Sequence, residues 1–191
     1  MKALRHFLAA LSCVVLGSTV QAAGFNTPQS GASYTAQGQG GITFFDNAGL
    51  VTQNPSAMVK LETGTHVYGG FARYETHYNY KDFNGGSSAD IQHDPATVPH
   101  LYALYNDGDM AFGTGVSLPF NSGIEWPSDW AGRDVLTRLK VATLNQPLVV
   151  SGRFGDFSIG GGLNFYAAHI ELEREVIYSG NDSFSATLGG K

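Results

Sequence analysis

The sequence is poor in cysteine, in basic residues and in long apolar runs, and each shortage excludes a class of protein. Its single cysteine, Cys13, lies in an apolar stretch near the N-terminus, so neither disulfides nor thiol chemistry are expected in the rest of the chain. The 11 Lys and Arg residues against 16 Asp and Glu give a net charge of -5, which argues against a nucleic-acid partner. No later stretch is apolar enough for a membrane-spanning helix, which needs about 20 such residues.

The first 22 residues have the pattern of a secretory signal peptide. Lys2 and Arg5 precede an apolar run over residues 7–16, and the Val-Gln-Ala at 20–22 provides a cleavage site of small residues. A lipid anchor on the cysteine is not expected, because that signal requires leucine where Ala10 stands. The chain is therefore predicted to be exported, and to be either soluble outside the cytoplasm or a β-barrel of an outer membrane.

Residues 23–62 mix small residues with turn formers and do not alternate as strands do. Short helical pieces are predicted near Ser33–Gln37 and over Asn47–Lys60, and the dipeptide Asn54-Pro55 interrupts the second piece. We expect a compact irregular segment that is held by the structure around it.

From Gly64 onward the pattern is that of strands joined by turns. The clearest strand starts at Met110 and places bulky apolar side chains opposite small ones at alternate positions. The turns at 106–109 and 153–156 are short, whereas long connections are predicted over 81–97 and 120–143. Short turns on one rim and long loops on the other are typical of outer-membrane barrels, with a secreted β-sandwich as the alternative.

The strand from Met110 is interrupted at Pro119, and two tryptophans follow. Proline supplies no N–H to a sheet, and Gly123 tolerates backbone angles that other residues avoid, so strand pairing over 120–122 is easily lost. An unpaired edge in lipid is costly unless it lines a cavity. The other interpretation is that Pro119 merely ends the strand where a loop begins.

Five stretches together resemble the outer-membrane long-chain fatty acid transporter family, which also contains aromatic-hydrocarbon uptake channels. They occur in the family's order and are AGF from residue 23, QNPSAM at 53–58, GTGVSLPFNSGIEW at 113–126, DWAGR at 129–133 and GLNFYAAHIELER at 162–174. The resemblance implies an all-β fold, a transmembrane antiparallel β-barrel of about fourteen strands that is plugged by an N-terminal hatch of short helices. Residues 23–62 fall where that hatch belongs.

The same resemblance predicts how many strands are present and what happens to the third one. Residues 63–191 would supply only about the first five or six strands of an incomplete barrel. We therefore interpret the chain as the N-terminal part of a longer protein, since open edges do not persist in lipid. In the family, an inward kink of the third strand opens the wall, so that a hydrophobic ligand leaves sideways into the lipid. Pro119, Asn121, Ser122 and Gly123 would form that lateral opening here.

Two binding positions follow from the resemblance. Asn54 and Pro55 match the Asn-Pro-Ala of the hatch, with Ser56 in place of alanine, and would lie under the ligand pocket; a turn between two helical pieces is the other interpretation. Arg174 matches an arginine that contacts the fatty acid carboxylate, an anion that a guanidinium binds through two parallel hydrogen bonds. The alternative for Arg174 is a surface ion pair with the glutamates beside it.

Aromatic and apolar residues follow the break in the third strand. Trp126 and Trp130 are predicted to form either an extracellular groove for first capture or part of an aromatic belt at the membrane interface. Phe120 and Ile124 would continue that apolar surface, which suits an acyl chain.

No cofactor, metal site or enzyme motif is predicted. The histidines have irregular spacing, and the sequence contains neither a G-x-S-x-G motif nor a serine with a base beside it. The sequence therefore predicts a monomeric, non-enzymatic channel for the passive uptake of long-chain fatty acids or aromatic hydrocarbons, in contact with outer-membrane lipid. The alternatives are an outer-membrane lipid-acting enzyme, which would need Ser or Asp next to His on the extracellular rim, and a structural or adhesive surface barrel.

Overall fold

The computed structural model describes residues 31–38, 46–92, 95–178 and 182–190. The predicted signal peptide lies outside these ranges, as do residues 23–30 and 39–45 of the predicted hatch. No helix within the described ranges is long and apolar enough to cross a membrane.

Three short helices precede nine strands in the described chain. The helices are α1 (Gly31–Ala36), α2 (Leu50–Gln53) and a 3₁₀ helix (Pro55–Lys60). The strands are β1 (Gly64–Tyr74), β2 (Asn79–Lys81), β3 (Ser88–Asp90), β4 (Ala96–Asn106), β5 (Met110–Ser117), β6 (Asn121–Glu125), β7 (Arg138–Phe154), β8 (Phe157–Tyr178) and β9 (Asp182–Gly190). The predicted interruption at Asn54-Pro55 is confirmed, because Pro55 begins the 3₁₀ helix, where a missing N–H costs nothing.

Seven of the strands form one antiparallel sheet, in the order β1-β4-β5-β7-β8-β9, with β6 also paired to β7. β2 and β3 form a separate small hairpin. β1 and β9 are the two edges of the described sheet, which is therefore open. The predicted short turns are confirmed: residues 107–109 join β4 to β5, and Gly155 and Asp156 join β7 to β8.

The two faces of the sheet have opposite character. Residues that are directly paired across strands share a face. Leu148 lies opposite Leu163 on the outer face, and Val149 lies opposite Gly162 on the inner face, which carries the helices. The outer face exposes large apolar side chains, with Phe71 at 76% and Ile159 at 69% of full exposure. A soluble sandwich would bury such a face, whereas a membrane barrel turns it toward lipid.

The helices pack on the inner face of the sheet. Ala57, Met58 and Val59 of the 3₁₀ helix are buried in one cluster with Tyr102 of β4 and Val149 of β7. Glycines on the strands make room for this contact. A Cβ on Gly113 would overlap the Val51 side chain, and one on Gly160 would overlap the peptide bond between Pro55 and Ser56.

Two side chains of the sheet hold the end of the helical segment. The Asn106 amide donates to the carbonyl oxygen of Leu61 over 2.7 Å in a buried position. The Arg153 guanidinium, beside the β7–β8 turn, donates to the carbonyl oxygen of Val59. Because helix ends leave carbonyl groups without intrahelical partners, these bonds satisfy groups that the 3₁₀ helix cannot.

One predicted boundary is wrong. The long connection expected over 120–143 contains β6 and the start of β7, so that the loop covers only 126–137. The alternation of side chains stops at Pro119, because the register of pairing with β7 changes by one residue between β5 and β6.

Candidate functional site

Counted from β1, the third strand position of the sheet is shared by two short strands, β5 and β6, which both pair with β7. Ser117 at the end of β5 lies opposite Asn145, and Asn121 at the start of β6 lies opposite Ala142. Between these two pairs, the β5–β6 connection contains three residues (118–120), whereas β7 contains only two (143 and 144). This is a β-bulge, in which Leu118 and Pro119 together oppose Leu144.

The bulge is closed by hydrogen bonds to Thr143 of β7. The Thr143 N–H donates to the carbonyl oxygen of Phe120 over 2.9 Å. The Phe120 N–H donates to the Thr143 hydroxyl oxygen, also over 2.9 Å, and that hydroxyl lies 3.1 Å from the Phe120 carbonyl oxygen. Thr143 is only 8% exposed. Its hydroxyl oxygen accepts the hydrogen bond that a backbone carbonyl oxygen would accept in a regular ladder.

Beyond the bulge, β4 and β6 are not joined by a ladder. β5 pairs with residues 100–106 of β4, whereas in the described chain the ladder partner of β6 is β7 alone. Two isolated bonds connect β6 to β4 and to the segment that precedes β4. The Asn121 side chain donates to the Thr97 carbonyl oxygen over 3.4 Å, and the Gln92 N–H donates to the Glu125 carbonyl oxygen over 2.7 Å.

A cavity of about 90 Å³ lies beside β6 at this gap. It is lined by the predicted opening residues Asn121, Ser122 and Gly123 and by Ile124 of the predicted apolar surface. Pro119 lies in the bulge next to it. The structure thus brings together the residues that the sequence singled out near the break of the third strand.

The predicted aromatic residues of the loop form a cluster. The Trp126 and Trp130 rings are stacked, with centroids 4.5 Å apart and an angle of 14° between their planes. Tyr80 of the β2–β3 hairpin meets Trp130 edge-on at 5.6 Å, and the Trp130 ring N–H donates to the Leu136 carbonyl oxygen over 2.8 Å. The hairpin and the 126–137 loop therefore pack together through these three rings.

Arg174 lies on β8 outside the cavity beside β6. The glutamates next to it bind other arginines: Glu175 lies 2.7 Å from Arg133, and Glu173 lies 3.7 Å from Arg138. Because successive side chains of a strand point to opposite faces, Arg174 lies on the face opposite these two pairs. Within the described residues, its exposed guanidinium makes no ion pair.

Asn54 and Pro55 are also outside the cavity beside β6. Ser56, which stands where the related hatch has alanine, donates its hydroxyl proton to the Asn54 side-chain oxygen over 2.7 Å. The extra hydroxyl is thereby used locally, in a turn between α2 and the 3₁₀ helix. This part of the segment approaches the wall at Gly160 of β8.

The sequence did not single out His100. The structure places its ring, only 5% exposed, between Tyr68 and Tyr102 at centroid distances of 5.6 and 5.9 Å. Gly31 of α1 packs against the same ring. Because His100 alternates along β4 with Val98 and Tyr102, the sequence could have placed it on the inner face. Nothing in the sequence indicates that His100 contacts α1. No hydrogen bond joins this ring to the Ser117 hydroxyl, although the two residues are paired across β4 and β5.

A family model connects these features with known proteins. The model described as outer membrane protein transport protein (OMPP1/FadL/TodX) matches residues 13–189. The chain belongs to this family. The resemblance found in the sequence is thereby confirmed, together with the outer-membrane location of a Gram-negative type.

The FadL/TodX assignment agrees with a solved structure. The crystal structure of a Pseudomonas aeruginosa FadL homologue matches with a TM-score of 0.66 at 18% sequence identity, covering 87% of this chain and 46% of that chain. The chain thus spans about half the length of that homologue. No protein with a curated description matches the chain. The all-β barrel fold expected from the sequence is confirmed.

Proposed function

We propose that the protein is a monomeric channel for the passive uptake of hydrophobic compounds, mainly long-chain fatty acids, with lateral exit between β4 and β6. The observation that carries the proposal is the loss of the ladder beside a cavity, next to an apolar outer face. A compound that leaves the wall at Asn121–Ile124 enters lipid directly.

Lateral exit suits a long acyl chain because of its hydration cost. Moving one CH₂ group from water to apolar surroundings is worth about 0.8 kcal/mol. A chain of about sixteen carbons would therefore pay on the order of 12 kcal/mol to cross water without a carrier. A path from an apolar interior into the membrane avoids that step.

The proposed path begins at the aromatic cluster of Tyr80, Trp126 and Trp130. Stacked rings offer apolar area outside the membrane at which a hydrophobic compound can be held. Arg174 is the proposed anchor for the carboxylate, since its guanidinium is exposed and the neighbouring glutamates bind other arginines. Asn54 and Pro55 belong to the segment whose shift would open the path.

Binding by Arg174 can be tested with two ligands. The purified product of the complete gene is titrated with oleate and with toluene, and wild type is compared with Arg174→Ala. Arg73→Ala on β1 is the matched control, since it removes an exposed arginine from another strand of the wall. Loss of oleate binding with toluene binding unchanged, in R174A alone, supports a carboxylate anchor. If wild type binds neither ligand, the transport proposal is wrong.

Lateral exit can be tested by closing the gap. Thr97 and Asn121 are replaced by cysteines, T97C/N121C, and joined by a short bifunctional thiol reagent. The control T65C/Y105C links two residues that are already paired across the β1–β4 ladder. We expect the cross-link at the gap to stop oleate uptake by cells and the control cross-link to leave it unchanged. Equal uptake by both cross-linked proteins would exclude exit at this place.

A further inference from the structure

The Thr143 side chain lies opposite the bulge between β5 and β6. Its backbone N–H and its hydroxyl both bond to Phe120, the residue that follows the proline of the bulge. In a regular antiparallel ladder, the hydrogen bonds between two strands join backbone groups only. The hydrogen bonds of the Thr143 hydroxyl are therefore additional to those of the backbone ladder, and the bulge requires them.

The Phe120 N–H explains that requirement. Because the bulge adds a residue, Phe120 does not meet the pair of backbone groups that a regular register would provide. A backbone group left without a partner in a wall that faces lipid is costly. A hydroxyl can accept from the N–H and donate to the carbonyl of the same residue, which an aliphatic side chain cannot do.

The bulge also determines the face on which β6 presents its side chains. Ser117 lies on the inner face, and after the bulge it is Ser122 and Ile124 that pair with Val141 and Leu139. A register without the extra residue would move these side chains to the other face, because side chains alternate with a period of two. The lining of the cavity beside β6 thus depends on the bulge being held in place.

We infer that Thr143 is a positioning residue whose hydroxyl holds the bulge on β7 and thereby keeps β6 away from β4, so that the gap is a built feature of the wall. Only the expected effect of Thr143 on uptake rests on the proposed function. The structural part of the inference, the separation between residues 97 and 121, is independent of any ligand.

The test compares Thr143→Val with Thr143→Ser in the complete protein. Valine keeps the shape and removes the hydroxyl, whereas serine keeps the hydroxyl. Thr114→Val is the matched control, because the Thr114 hydroxyl donates to the Pro147 carbonyl oxygen over 2.9 Å in the same wall but away from the gap. The T97C/N121C pair carries spin labels in each background, and the distribution of their distances is measured by pulsed EPR.

We expect T143S and T114V to keep the wild-type distance distribution, and T143V to shift or broaden it. Uptake of oleate should fall about tenfold in T143V and recover in T143S. A wild-type distribution in T143V would overturn the inference, as would equal changes in T143V and T143S. If T143V does not fold, as judged by its heat-modifiable migration on a gel, Thr143→Ala provides the variant without hydroxyl.

The outcome also separates this inference from the proposed function. If wild type takes up no oleate but the distances change in T143V alone, the transport proposal is wrong and the role of Thr143 is supported. If wild type transports and T143V has both normal uptake and normal distances, the transport proposal survives and the role of Thr143 is excluded.

Discussion

The side-chain amide of Asn106 is bound to the carbonyl oxygen of Leu61, 45 residues earlier in the chain. The same side chain accepts a hydrogen bond from the Gly108 N–H over 2.9 Å, so it also shapes the turn between β4 and β5. One residue thus joins a wall turn to the end of the 3₁₀ helix.

Asn106→Asp distinguishes these two roles. Aspartate keeps an acceptor for the turn, but it loses the donor and places a carboxylate against the Leu61 carbonyl oxygen. We expect a loss of about 1–3 kcal/mol of unfolding free energy, because a buried partner is left unsatisfied. Urea unfolding in detergent micelles measures this loss, with Asn84→Asp in the exposed hairpin turn as control. A stability equal to that of the control would mean that only the turn matters.

Gly160→Ala should displace the helical segment from the wall. The new methyl group would overlap the peptide bond between Pro55 and Ser56, whereas a methyl group on Gly161 meets nothing within 4 Å. We expect Gly160→Ala to cost about 1–3 kcal/mol through overpacking, and Gly161→Ala to be neutral or slightly stabilising. Limited trypsin digestion after Lys60 reports the displacement. Identical cleavage rates in the two variants would contradict the packing of this segment on β8.

Trp130→Ala should weaken capture without slowing the steps that follow. The change removes the stack with Trp126 and the edge contact with Tyr80. Because such aromatic contacts are worth about 0.5–1.5 kcal/mol, we expect the half-saturating oleate concentration for uptake to rise about two- to tenfold at an unchanged maximal rate. Val135→Ala, exposed in the same loop, is the control. A reduced maximal rate with unchanged half-saturation would place the cluster's role after capture.

The architecture was largely predictable because its signals are local. Alternating bulky and small residues indicated the strands, the short turns were correctly placed, and Asn54-Pro55 indicated where the helical segment is interrupted. The overlooked β6 has a physical cause. The bulge at Leu118 and Pro119 shifts the alternation by one residue, so a pattern read continuously from Met110 fails after it, although the chain returns to β7.

The site was less predictable because its contacts join distant parts of the chain. Pro119 and Gly123 indicated a weak place in the third strand, but nothing near them identified Thr143 as the residue that closes the bulge. Its partner is set by the register of β6 on β7, which a single sequence does not contain. The burial of His100 against Gly31 is a similar case, since α1 and β4 are separated by most of the N-terminal half of the described chain.

The exposed apolar side chains of the outer face also constrain when the chain can fold. A sheet that presented Phe71, Leu101, Ile159 and Leu163 to water would be prone to aggregation, because large exposed apolar patches associate with one another. We therefore expect strand pairing to be completed together with entry into the bilayer. The helical segment is expected to dock once these strands are paired, since it contacts β4, β5, β7 and β8 together.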